Sequence, residues 1–452
     1  MKECVNGIKW EFEVEGGNAM ITSVPRSIAG DVDIPETLGG VKVACVTYGA
    51  FDNCSKLRSV TIPDGLLSTV NGFEELATSG ISSEAFRGCS SLCAIHVSKR
   101  NPAYKSVNGL LLTKGGEKVV AVPPGLMVAT LPPGVTKIGQ SAFAGCRKLK
   151  KVTMPNGVLE IEWNAFDGCC ELEGVTIPDT VMVIRQDAFR GCRKFKSVTL
   201  PVSLKEIEPG VFSCCDGLRE ILVASRNPRF KSIDGMLLEK NAKIRDCMGE
   251  RRKGDTLRAV PGGLTSVTVP DGVTHIDMCA FGGCSRVKNV VIPQSVTCID
   301  WEAFRGCSAL ESMIIPDSVT EIGDGAFTEC TKMKNLTIPA SVTKVGRCAF
   351  RKCKIESVTF LPGVKSIYAS MFARCQLKSV TIPDSVTSIG TCAFKGCTGL
   401  ESVTIPRKVK KIGDRAFNQC SDLKKVTMPV SLKGKGIGRD VFPTGVKIDY
   451  VN

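Results

Sequence analysis

Cysteine and histidine supply much of the nucleophilic and metal-ligating chemistry open to a protein, and this 452-residue chain holds 23 of the first and 2 of the second. A structural zinc site needs tight clusters such as paired C-x-x-C, and no C-x-x-C occurs anywhere in the sequence. Cys169-Cys170 and Cys214-Cys215 are adjacent pairs, and Cys279, Cys348 and Cys392 each precede another cysteine by five positions. These arrangements suit packing better than ligation. A Cys/His nucleophile requires an imidazole beside one particular thiol, and the sequence pairs neither His96 nor His275 with a cysteine. Gly434-Lys435-Gly436-Ile437-Gly438 is glycine-rich but lacks the Walker pattern that cradles phosphates. Acidic residues are scattered, so no carboxylate dyad emerges. The expectation is a chain with no catalytic residues, cofactor or metal. An enzyme with an unrecognised site stays open as an alternative, and a deep pocket holding a histidine beside a thiol would favour it.

The cysteines make sense once their spacing is read. Thirteen follow a phenylalanine by three residues, from Phe51/Cys54 to Phe417/Cys420. From Phe143 through Phe166 and Phe189 to Phe212 each step is 23 residues. From Phe281 to Phe417 the steps are 22 or 23, and the interval between Phe212 and Phe281 is 69, room for two degenerate units. A fixed short period is the mark of a repeat architecture. Free cysteine behaves as a small buried hydrophobe with a weak donor, so the repeat cysteines are expected to be reduced, buried and bonded to loop backbone.

One unit shows the grammar. In Ser379-Val380-Thr381-Ile382-Pro383 the apolar and hydroxyl residues alternate, which predicts a short strand with one buried face. Proline, lacking a ladder N–H, ends it. Val386 and Ile389 return to the core on the opposite wall, Gly390 is read as the turn residue, Ala393-Phe394 fills the interior, and Cys397 precedes Leu400 of the next strand. A coil this short cannot bury its own apolar residues, so successive coils must stack and pair their strands in parallel.

The recurring L-x-x-V-x-I-P followed by V-x-x-I-G-x-x-A-F-x-x-C resembles the BspA-like, or Treponema pallidum-type, subgroup of leucine-rich repeats over about residues 48–430. Asn101-Pro102-Ala103-Tyr104 with Asn108-Gly109, and Asn227-Pro228-Arg229-Phe230 with Asp234-Gly235, look like the hairpin-bearing variant coils of that subgroup, near 94–125 and 221–262. The resemblance implies an α/β-type, strand-rich solenoid: a right-handed leucine-rich repeat superhelix of coils of about 23 residues, with a parallel β-sheet on one face. It also implies a cell-surface or secreted adhesion or host-interaction factor.

The ends read differently. In residues 1–47, Ile8, Trp10, Phe12 and Val14 alternate before Gly16-Gly17, which predicts a capping hairpin and a first degenerate coil. Residues 431–452 lose the motif, with Phe442 as a last plug and Val446, Ile448 and Tyr450 on a closing strand. Residues 241–258, carrying Lys243, Arg245, Arg251, Arg252 and Lys253, read as an exposed basic loop. No apolar run reaches the length of a membrane span. The first residues lack an apolar signal core, and unpaired thiols at this density favour a reducing, cytoplasmic compartment; the family resemblance points instead to the surface.

With chemistry excluded, binding remains. The net charge of +14 favours acidic partners. Outward strand positions are rich in Ser and Thr. Just before the strands runs a column of Arg58, Lys150, Lys196, Arg219, Lys288, Lys334, Lys378 and Lys424, interrupted by Glu173, Glu311, Glu356 and Glu401. That column is the candidate partner-binding strip, together with Tyr104, Phe230, Arg251 and Arg252 of the variant coils. The expected function is a non-catalytic, monomeric scaffold for a protein partner, an acidic protein or a glycan included. Binding of nucleic acid or another polyanion through the basic face is the alternative. It is weakened by the four glutamates and by aromatics too few for base stacking.

Overall fold

The structure is a computed structural model, and it describes residues 1–66, 80–245 and 251–452, with the side chains of 243–245, 251 and 252 outside that description. The chain divides into two compact units, Met1–Leu218 with Leu222–Pro228, and Arg219–Ile221 with Arg229–Asn452. Both are built from the predicted coils.

In the first unit, Lys2–Val5, Ile8–Glu15 and Asn18–Ser23 run antiparallel, and the last then pairs in parallel with Val41–Val46. The predicted hairpin therefore exists and gains a strand that the sequence reading missed. Trp10 and Phe12 are buried, while Val14 is exposed. Ala29–Asp33, Lys56–Ile62 and Ala94–Val97 form one parallel ladder, and Val128–Thr130, Lys151–Thr153 and Gly174–Val175 another. The V-x-x-I segments form a further ladder, Lys118–Ala121, Lys137–Ile138, Glu160–Ile161, Val183–Ile184 and Glu206–Ile207. Each ordinary coil thus contributes to two parallel sheets, where one had been expected.

The second unit repeats the scheme. Phe230–Ile233, Met236–Arg245 and Arg251–Ala259 run antiparallel and lead into the parallel run Val273–Ile276, Cys298–Ile299, Glu321–Ile322 and Lys344–Val345. Of the predicted basic loop 241–258, residues 241–245 and 251–258 are strand, paired antiparallel up to Arg245 and Arg251, and 246–250 lie outside the described residues. Both variant coils turn on the expected pairs. Asn108-Gly109 and Asp234-Gly235 have positive φ throughout (53°, 74°, 49° and 73°), as a two-residue hairpin turn of this hand requires. At the C-terminal end Lys447–Val451 pairs in parallel with Lys425–Pro429, and the Phe442 ring stacks on Phe417 at 5.5 Å.

The interior follows the grammar residue by residue. Val386, Ile389, Ala393, Phe394, Cys397 and Leu400 all lie at 1% exposure or less. The plug phenylalanines stack along each unit. Phe281, Phe304, Phe327 and Phe350 lie 4.3, 4.9 and 5.0 Å apart with near-parallel rings. Such contacts add to burial about 0.5–1.5 kcal/mol per pair.

No α-helix occurs among the described residues, and the fold lies at the strand-rich extreme of its class. The reason sits in the A-F-x-x-C segment. The residue two before each of the stacked plugs from Phe143 on, such as Asn164, Cys279, Glu302 and Cys392, is left-handed (φ 49–74°), which stops helix propagation. A three-residue turn follows, the Cys169 N–H donating to the Phe166 carbonyl at 3.1 Å. Gly390 is consequently not the turn residue. Its φ is ordinary, and a Cβ there would meet the Ala369 nitrogen at 2.6 Å. The glycine permits close approach of neighbouring coils, and the left-handed turn falls on Cys392.

The repeat cysteines bond as expected. Ten of the thirteen thiols donate to the carbonyl of the preceding plug, among them Cys169 to Phe143 at 3.2 Å, Cys307 to Phe281 at 3.2 Å and Cys420 to Phe394 at 3.1 Å, while Cys54, Cys146 and Cys284 donate to the carbonyls of Pro25, Val122 and Val260. Burial pushes Cys146 up to about 12 and Cys420 to about 11, which suppresses the reactive thiolate. A polar alkylating reagent at pH 8 is therefore expected to label exposed Cys4 and Cys93 within minutes and the buried repeat cysteines only after denaturant is added. Rapid native labelling of the repeat positions, read by peptide mass spectrometry, would contradict this arrangement.

Candidate functional site

The sequence-predicted column is exposed throughout: Arg58, Lys150, Lys196, Arg219, Lys288, Lys334, Lys378 and Lys424 all reach solvent. Backbone bonding shows which of them are neighbours. In the first unit the Glu173 N–H donates to the Lys150 carbonyl and the Lys196 N–H to that of Glu173. In the second, Glu311 bonds to Lys288, Glu356 to Lys334, Lys378 to Glu356 and Lys424 to Glu401 in the same way. From Lys150 to Lys196, and again from Lys288 to Lys424, the column therefore alternates in sign from one coil to the next. Glu356 lies 2.7 Å from Lys378 and 3.8 Å from Lys334, and Arg58 pairs with Asp31 at 3.2 Å. Pairs this exposed contribute little stability. They do cancel one another's field, so the strip is a mixed-charge rim without a continuous positive track.

Two further candidates are corrected. Tyr104 and Phe230 are 3% and 1% exposed, so neither ring can meet a partner. Each is buried in its variant coil, and a buried asparagine, Asn101 or Asn227, lies three residues earlier. The Asn101 Oδ1 accepts from the Tyr104 N–H at 2.8 Å. Its Nδ2 donates to the carbonyls of Pro63 and Leu66 at 2.6 and 2.9 Å. The side chains of Arg251 and Arg252 lie outside the described residues.

The strand face carries the hydroxyl row. Thr268, Thr337, Thr359, Thr381 and Thr404 project from the second unit's strands into solvent. Two positions break the row. Val291 is in register with Thr268, and Ile314, bridged to Thr337, follows in the next coil. Val291 is 58% and Ile314 83% exposed. Neighbouring strands lie about 4.8 Å apart, so the two make one apolar spot on a polar sheet. The signal was present in Asn289-Val290-Val291-Ile292 and Ser312-Met313-Ile314-Ile315, where an apolar residue replaces the outward hydroxyl. Attention to charge passed over it.

His96 is exposed on its strand, and His275 is buried. The structure does bring His275 beside a thiol: it is in register with Cys298, which is in register with Glu321, itself 2.9 Å from the Lys344 ammonium. These three are 1%, 0% and 1% exposed. A substrate has no access to a row so closed, and the arrangement reads as a buried polar seam of the ladder. Among the described residues no group of three or more His, Cys, Asp or Glu is placed to hold a metal ion. No helix among them is long and apolar enough to cross a membrane.

Comparison with known proteins agrees with this geometry. A family model described as the BspA type leucine rich repeat region matches in six copies, over residues 126–243, 261–377 and 365–451. A leucine-rich repeat protein from Eubacterium ventriosum is similar in structure, with a TM-score of 0.50, 19% identity, and 92% of this chain and 93% of that one covered. One from Bacteroides ovatus gives 0.49 and 23% identity with both chains fully covered. The leucine rich repeat protein of T. pallidum gives 0.22 and 19%, covering 72% of this chain and 87% of that one. No curated protein matches the sequence.

Proposed function

Because the chain belongs to the BspA-type leucine-rich repeat family, we propose that it is a non-catalytic scaffold for a protein partner, in adhesion or host interaction, and that the strand face of the second unit is where the partner docks. Family membership supports binding as the class of activity. The observation that carries the choice of surface is the pair Val291 and Ile314, 58% and 83% exposed on adjacent strands. Binding energy in protein interfaces concentrates in a few apolar or aromatic anchors surrounded by polar contacts that exclude water. Here the hydroxyl row and the alternating rim would supply that polar surround. A nucleic acid would find no unbroken positive track in the column, which argues against the polyanion reading at this face.

The test is site-specific. A photo-crosslinker at position 314 should capture a defined protein, and that protein, once purified, should bind the parent chain at least tenfold more tightly than the Val291→Lys/Ile314→Lys variant. Both side chains point into water, so the variant should keep the parent melting temperature. Equal affinity for parent and variant would remove the strand face from the proposal.

A further inference from the structure

A second surface lies in the first unit, on the side of the plug turns. Four segments of that unit line an open cleft of about 630 Å³, chiefly through Arg26, Tyr48, Asp52, Asn53, Arg87 and Arg147. Its volume is in the range of small-molecule sites. Three guanidinium groups face one carboxylate in the lining, and Glu84 lies 3.9 Å from Arg87 beside it, which leaves an excess of one positive charge. Asp52 is itself occupied: its Oδ2 accepts from Asn53 Nδ2 at 2.6 Å and lies 4.0 Å from Arg26. The Arg147 guanidinium has no ion-pair partner among the described residues, and it is exposed.

Tyr48 gives the cleft its character. The Arg87 Nη1 donates to the Tyr48 hydroxyl at 3.0 Å, which fixes the ring, yet the side chain remains 62% exposed. The ring thus presents a fixed aromatic face to solvent beside the guanidinium groups. The floor is held open by glycine: Gly88 has φ +74°, and a Cβ there would come 2.4 Å from the Asn53 Oδ1.

We propose that this cleft binds an acidic sugar unit of a glycan chain. The carboxylate or sulfate of the sugar is held by Arg26, Arg87 and Arg147, and its C–H face lies on the Tyr48 ring. Guanidinium pairs two N–H groups with two oxygens of such an anion through charge-assisted hydrogen bonds. A pyranose offers an apolar face of axial C–H groups on one side and an anion at its edge, which is the pairing this cleft presents. A bare phosphate would leave the ring uncovered, and an acidic peptide has no flat apolar face to match it. The inference stands apart from the strand-face proposal, since the cleft lies in the other unit and shares no residue with it.

The experiment is calorimetric titration of the full chain with a heparin-derived hexasaccharide and with an oligogalacturonate. Neutral dextran, sodium tripolyphosphate and a poly-glutamate peptide serve as comparisons. At least one acidic oligosaccharide is expected to bind, and dextran is expected not to. Affinity should fall with added salt, as screening requires. Arg147→Ala should weaken binding at least tenfold without changing the melting temperature. Tyr48→Ala should weaken it at least fivefold, and Tyr48→Phe, which keeps the ring, should retain most of it. Failure of both acidic oligosaccharides to bind would overturn the proposal. So would unchanged affinity in Tyr48→Ala, or equal binding of tripolyphosphate or poly-glutamate, either of which would mark a general anion site.

Discussion

Phe304→Ala is expected to lower the unfolding free energy by about 3–5 kcal/mol, the range found when a fully buried aromatic is cut back to a methyl. The side chain is at 0% exposure and stacks on both neighbours, 4.3 Å from Phe281 and 4.9 Å from Phe327. Removing it opens a cavity lined by two rings that the flanking coils cannot close, because their spacing is set by strand pairing on either side. In an array of coils each unit's stability rests on contacts with its immediate neighbours. The damage should therefore be local at first, with faster amide exchange at Phe281–Phe327 before the rest of the second unit responds. Denaturant unfolding and hydrogen exchange together would measure it. A loss below about 1 kcal/mol would mean that the ring stack is not the core it is described to be.

Asn227→Ala should cost about 2–4 kcal/mol, although asparagine-to-alanine removes little apolar area. Asn227 is 1% exposed, and its Nδ2 donates to the carbonyls of Pro201 and Leu204 at 2.9 and 3.0 Å. Those carbonyls sit in a neighbouring turn that water cannot reach, and each buried polar group left unsatisfied costs about 1–3 kcal/mol. Asn227→Asp keeps the shape but replaces the donating amide with an acceptor facing acceptors, and should be at least as damaging. Asn101→Ala should behave alike, since Asn101 bonds the Pro63 and Leu66 carbonyls by the same device. If equilibrium unfolding of Asn227→Ala matched the parent chain, the asparagine would be no more than a convenient turn residue.

Much of this protein was legible before any coordinates. The 22- and 23-residue spacing from Phe143 to Phe212 and from Phe281 to Phe417 fixed a stacked coil, because so short a unit survives only by covering its neighbour. Alternation at Val380 and Ile382 fixed a strand and its inward face, and Asn108-Gly109 and Asp234-Gly235 fixed two hairpin turns, since few dipeptides accept that backbone. Three-dimensional packing decided the rest. Whether Gly390 or Cys392 makes the turn depends on how near the previous coil comes, which no local pattern encodes. Tyr104 and Phe230 were taken for surface because they lie on insertions; they are interior, each with a buried asparagine three residues earlier. Lys334, Glu356 and Lys378 are 22 residues apart in sequence and stand side by side only through strand pairing. Their mutual cancellation is therefore a property of the stack. The cleft of Arg26, Tyr48, Arg87 and Arg147 assembles residues from four segments, 121 positions from first to last. A repeat period predicts that coils touch, but the side chains that converge at one place are set by the particular residues each coil brings to its outer edge.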